Sequence, residues 1–154
     1  MRCSIARALE LIGDWWTMLV VREAFMGTRR FDAFQRNLGI APNILSARLK
    51  TLVASGILAR VPAGGPRRRE YRLTEMGRDL FPVLVALMQW GDRWLAGPDW
   101  PPIRLLDRAT GTPVAVAVRR PDGAILGSAD VRVVGGRGAS AALRLPLGGV
   151  PFDG

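Results

Sequence analysis

Apolar residues Ile5, Ala8, Leu9 and Ile12 fall at i, i+3, i+4 and i+7, one stripe of a helix over residues 4–12 that Gly13 ends. Asp14 is placed to cap a second helix, WWTMLVVREAFM, with Trp16, Leu19, Val20 and Phe25 as its apolar face up to Gly27. Phe31, Phe34 and Leu38 predict a third short helix, closed by Gly39. Pro42 sits where a helix favours its first-turn proline, and the fourth helix runs from there to about Ser55 with Leu45, Leu49, Leu52 and Val53 inward. Two strands follow, ILARV (57–61) and REYRL (69–73), joined through the turn Gly64-Gly65-Pro66. Thr74 and Glu75 then open a long fifth helix to about Leu95, with a kink at Pro82.

That last helix is apolar nearly all round at LFPVLVALM (80–88), and Trp90 and Trp94 extend the surface by a turn. A helix without a polar face must be covered on every side, and a second copy of the chain is the expected cover. Leu84, Leu87, Met88, Trp90, Gly91 and Trp94 are the expected homodimer interface. After the Pro-rich break at 98–102 the helical period disappears. VAVAV (114–118), the turn Pro121-Asp122-Gly123, AIL and DVRVV (130–134) predict a small β-hairpin within an extension spanning 103–134. The Gly/Ala-rich tail, 135–154, is expected to be partly disordered.

Helices, a hairpin and a final helix in this order describe a winged helix-turn-helix within residues 1–97, a mainly α fold with a β-hairpin wing. The fourth helix supplies the chemistry. With its leucines inward, Asn43, Ser46, Ala47 and Lys50 point outward as a stripe of small, neutral-polar and basic groups. Such a stripe suits base edges in the major groove of double-stranded DNA, where Asn pairs with adenine and Lys with guanine. An ordinary solvated face usually mixes signs, whereas no carboxylate occurs between Asp32 and Glu70.

Composition sharpens this picture mainly by exclusion. The 154 residues carry 22 basic and 13 acidic side chains, a net charge of +9, and Lys50 is the only lysine. That balance favours a polyanionic partner. Histidine is absent, so neither an imidazole metal site nor a Ser-His or Cys-His couple exists, and the single cysteine rules out a zinc centre built on several thiolates. No cofactor, metal or enzymatic reaction is expected. No apolar run reaches 18 residues and the start lacks a signal-peptide pattern, so the expectation is a cytoplasmic protein without a membrane partner.

The stretch from Cys3 to about residue 95 also resembles the HxlR-type bacterial transcriptional regulators. The matching blocks are Cys3, Trp16-Thr17, Arg22-Glu23, Arg30-Phe31, Leu45-Ser46 with Arg48-Leu49, Gly56, Glu70-Tyr71 with Leu73-Thr74, Gly77 and Trp90-Gly91. The resemblance implies a homodimeric winged-helix protein on a dyad-symmetric operator, with terminal helices at the dimer interface. Family members often carry a basic residue where this chain has Trp15, and a capping serine where it has Ala41. Some end in a ribbon with spaced cysteines, of which 103–134 resembles a version without any. In a subset of similar regulators an N-terminal cysteine senses oxidants. Cys3 is therefore a candidate redox sensor, and its alternative role is a small apolar side chain beneath the first helix.

The phosphate-binding set is expected to be Arg30, Arg48 and the wing residues Arg67 and Arg68. Alternation places Arg69 on the inward side with Tyr71 and Leu73, as a brace for the strand. Tryptophans at 15, 16, 90, 94 and 100 are candidates for lining a pocket for a small-molecule effector, against the commoner core or interface role. The alternative to DNA binding is a protein-interaction adaptor on the same scaffold.

Overall fold

The computed structural model describes residues 3–65, 68–97, 100–137, 139 and 150–151. Helix α1, Ser4–Ile12, has the predicted bounds, but Ile12 is its one buried residue. Ile5 and Leu9 remain 69% and 55% exposed, so the chain's own core does not cover the predicted stripe. Helix α2, Trp15–Phe25, is capped as expected, with Thr17 N–H donating to Asp14 Oδ1 at 3.2 Å. Its fully buried side chains are Thr17, Val20, Val21 and Glu23, while Trp16 and Leu19 are half-buried. The buried stripe is thus rotated from the predicted one because α2 packs centrally against helices α3, Phe31–Leu38, and α4, Pro42–Ala54, as well as against the hairpin.

Gly39 takes the left-handed conformation (φ 61°) that ends α3 and turns the chain into α4 within a few residues. Leu45, Leu49 and Leu52 of α4 then bury completely, against Phe34, Val20 and Val21. Strands β1, Leu58–Pro62, and β2, Arg69–Leu73, pair antiparallel from Leu58 opposite Leu73 to Pro62 opposite Arg69. β1 starts one residue later than predicted, because Ile57 uses its carbonyl to accept from Thr74 N–H (3.1 Å) and its side chain to fill the core.

The long fifth helix of the sequence reading is two helices, α5, Glu75–Arg78, and α6, Phe81–Trp94. Pro82 occupies the first turn of α6 and starts a helix instead of kinking one, since its missing N–H is harmless there. Thr74 caps α5 by accepting from Gly77 N–H at 3.1 Å. Gly77 itself is buried where an added Cβ would run into the Ile57 carbonyl, so α5 can lie against the residue before β1 only with glycine there.

The extension follows the predicted turn only in part. Arg120 N–H donates to Ala124 O and Leu126 N–H to Val118 O, both at 2.9 Å, closing a hairpin at 121–123, and a second turn is bridged between Leu106 and Pro113. The run 130–134 does not join that hairpin. It supplies β3, Arg132–Val133, which pairs with β4, Val150–Pro151. Ala139 and β4 apart, the tail beyond 137 lies outside the described residues. A side-chain amide fastens the extension to α6: Gln89 Nε2 donates to Val114 O (2.8 Å) and its Oε1 accepts from Val116 N–H (3.0 Å).

Candidate nucleic-acid interface

α4 supplies the centre of the site. Asn43, Ser46, Ala47 and Lys50 are all exposed, spaced i, i+3, i+4 and i+7, while Leu45, Leu49 and Leu52 anchor the opposite side. Ala41 is the N-cap, and no side chain caps the helix there. Thr51 donates to the Ala47 carbonyl (3.1 Å), which holds its hydroxyl against the helix.

Asp14 ties this helix to α2. One carboxylate oxygen caps α2 and the other lies 3.1 Å from Arg48 Nη2. Arg48, a predicted phosphate contact, therefore has an intramolecular partner and sets the position of α4. A spacing argument along one helix could not have found this pair, because Asp14 belongs to another element.

The wing is joined to the helical body just where α3 begins. Tyr71 N–H donates to the Arg29 carbonyl at 2.8 Å, and its ring meets Phe34 edge-on at 6.3 Å. This brings Arg30 beside the hairpin. Arg30, Arg68 and Arg69 line one cleft of about 270 Å3, with Asp32 and Glu70 also in its walls. Arg30 Nε lies 3.1 Å from Asp32 Oδ1, both side chains being well exposed, and surface pairs of this kind hold a guanidinium only loosely. Arg67 lies outside the described residues. Arg69 is exposed, contrary to the brace predicted by alternation: opposite the exposed Pro62, it stands in the wall of this cleft and not against the core.

Beneath the interface sits a carboxylate that sequence reasoning did not single out. Glu23 is 5% exposed and accepts from Arg22 Nη2 (3.0 Å), Thr28 Oγ1 (3.0 Å) and Asn37 Nδ2 (2.9 Å). Burial pushes its pKa up, but the hydrogen bonds from Asn37, Arg22 and Thr28 outweigh it and hold the group below its ordinary value of 4.5. The network joins α2, the basic loop and α3.

The predicted dimer residues divide between two sides of α6. Leu87, Trp90 and Trp94 are 54%, 57% and 63% exposed, with Val83 beside them, whereas Leu84 and Met88 are half-buried; Leu84, Met88 and Leu87 all line the cavity that α6 forms with α2. Gly91 is half-buried, and a Cβ on it would meet nothing within 4 Å. Cys3, exposed, is the N-cap residue of α1. As the single cysteine of the chain it can form a disulfide only between molecules. Among the described residues no helix is long and apolar enough to cross a membrane.

Comparison with known proteins places this geometry. A family model described as HxlR-like helix-turn-helix matches residues 11–98. Mb3122 of Mycobacterium bovis, an HTH-type transcriptional regulator, is 55% identical over 109 residues, 70% of this chain and 69% of its own. The crystal structure of PA1607, a candidate transcription factor, superposes with a TM-score of 0.80 at 50% identity, covering 86% of this chain and 94% of that one. The reduced form of the redox regulator HypR gives 0.55 at 30% identity, over 59% and 92%. The PA1607 match is too long to end with the winged helix, so the likeness continues into the extension.

Proposed function

Because the chain belongs to the HxlR-like helix-turn-helix family, we propose that this transcriptional regulator binds a dyad-symmetric operator in double-stranded DNA as a homodimer. The observation that carries the reading is the uncovered, acid-free stripe of α4, Asn43, Ser46, Ala47 and Lys50, backed by three fully buried leucines. A rigid helix with short side chains along its outer face approaches base edges closely, and Lys50 and Asn43 carry the donors that distinguish them. Arg30, Arg68 and Arg69 in the cleft beside the wing hold backbone phosphates, and Arg67, which lies outside the described residues, joins them in this reading. Arg48 acts one step back, fixing α4 through Asp14.

The dimer forms through the sides of the molecule that its own core leaves open. These are the Ile5 and Leu9 stripe of α1 and the outer face of α6 with Leu87, Trp90, Gly91 and Trp94. Leu84 and Met88, on the same helix, contribute from the side that faces α2. The protein acts in the cytoplasm, without a cofactor and without catalysis.

Binding measured across a salt series tests the phosphate set. Wild-type affinity falls linearly on a log-log plot, and Arg68→Ala lowers the slope by about 1 while weakening all duplexes alike. An Arg68→Ala slope equal to wild type removes Arg68 from the phosphate set.

A further inference from the structure

Between α2, α6 and the first residues of the extension lies a cavity of about 580 Å3, within the range of small-molecule sites. Met18 and Leu19 of α2, Leu84 and Met88 of α6, and Ile103 and Leu105 of the extension form its apolar walls. A single charged residue lines it, Arg22. One terminal nitrogen of Arg22 lies on Glu23, but Nε is buried and has no hydrogen-bond partner among the described residues. Arg48 Nε is also buried without a partner among these residues, but of the two only Arg22 lines the cavity, where a ligand oxygen would supply an acceptor. The outer wall is built in, because Gln89 clasps the extension backbone at Val114 and Val116.

We propose that this cavity binds a small aromatic or alicyclic carboxylate, with its ring between α2 and α6 and its carboxylate on Arg22. One cation in an otherwise apolar chamber favours an amphiphile with a single anionic end over a neutral hydrocarbon or a multiply charged metabolite. Val83, Trp90 and Trp94 of the outer face are not part of its lining, but Leu84, Leu87 and Met88 are, so a second copy on α6 would border the chamber. Occupancy reaches the recognition helix through α2, whose cap residue Asp14 holds Arg48 of α4. This regulatory half rests on the DNA-binding reading; the binding half does not.

The test is calorimetric titration of the full-length chain with 2-naphthoate and with its uncharged counterpart 2-naphthylmethanol. One naphthoate binds per chain, at least about tenfold more tightly than the alcohol. Arg22→Gln removes that preference, and Leu19→Trp, which fills the chamber, abolishes both interactions with the far-UV circular dichroism unchanged. Should α2 not accept the larger side chain, Ile103→Trp fills the same space from the extension. No saturation at millimolar naphthoate, equal affinity for acid and alcohol, or undiminished binding by the filled variants overturns the proposal. So does naphthoate affinity that disappears as the dimer forms, which would give the chamber to a second copy. Saturating naphthoate shifts wild-type DNA affinity about fivefold and leaves that of the filled variant unmoved. An unmoved wild-type affinity overturns the regulatory half. Absence of DNA binding by every protein without ligand counts instead against the DNA-binding reading, and calorimetry then decides the chamber alone.

Discussion

Glu23 shows how a single buried charge is made tolerable, since each carboxylate oxygen has a donor within 3.0 Å. Its pKa is held below the ordinary 4.5, so the ionised form stabilises the fold at neutral pH, and that contribution is lost as pH falls through the folded-state value. Glu23→Gln keeps the shape and removes the charge. It should cost about 1–3 kcal/mol in urea unfolding at neutral pH, and the gap from wild type should close as the pH drops below 4.5. A gap that stays constant with pH would show that the charge itself contributes nothing. Glu23 was visible in the sequence only as part of a matching block, because Thr28 and Asn37 reach it from the following loop and helix. Asp14 was legible as a cap from its place before an apolar helix; its second role needed Arg48 from α4 to be seen in space.

At the scale of elements, the periodic segments were legible and the boundaries followed glycine and proline. α1 and β2 coincide with their predicted ranges, and Gly39 and Pro42 bracket the tight turn between α3 and α4. The fifth helix was misread because its one proline, Pro82, was read as a kink within a single helix when it marks the first turn of a new one after the break at 79–80. Strand pairing in the extension was misread for a related reason. DVRVV alternates well, yet β3 takes its partner from the distant tail and not from the hairpin next to it. The uncapped start of α4 makes a clean prediction. Ala41 already has extended backbone angles (φ −62°, ψ 138°), so a serine hydroxyl there can accept from the first-turn N–H groups. Ala41→Ser should stabilise the protein by about 0.5–1 kcal/mol in the same unfolding measurement. No gain would mean that those N–H groups already have partners.

Seen whole, the molecule leaves two apolar stripes uncovered, on α1 and on the outer side of α6, while Arg30, Arg68 and Arg69 line one cleft beside the wing. Gly91 is informative here because nothing among the described residues requires it: a Cβ would meet none of them within 4 Å, and glycine costs a helix interior about 1 kcal/mol relative to alanine. In the proposed dimer, a close approach by the second subunit would account for it. Gly91→Leu should leave the unfolding midpoint of the monomeric fold unchanged or higher, yet weaken dimerisation at least about tenfold in sedimentation equilibrium. Unchanged dimerisation would move the interface off this face. The cavity was the least legible feature, since it is built from three segments far apart in the chain, and Trp15 alone of the five tryptophans proposed for a pocket lines it.

The central claim is that α4 reads base sequence. Its most direct test is selection from randomised duplex DNA by the wild-type chain, by Lys50→Ala and by Asn43→Ala. The wild type should enrich a dyad-symmetric site with half-sites about 10 base pairs apart or a multiple of that, and each variant should lose preference at one position per half-site, a penalty of about 1–3 kcal/mol there, with the rest of the motif intact. Enrichment of the same motif by all three proteins, or of no motif by the wild type, would contradict it.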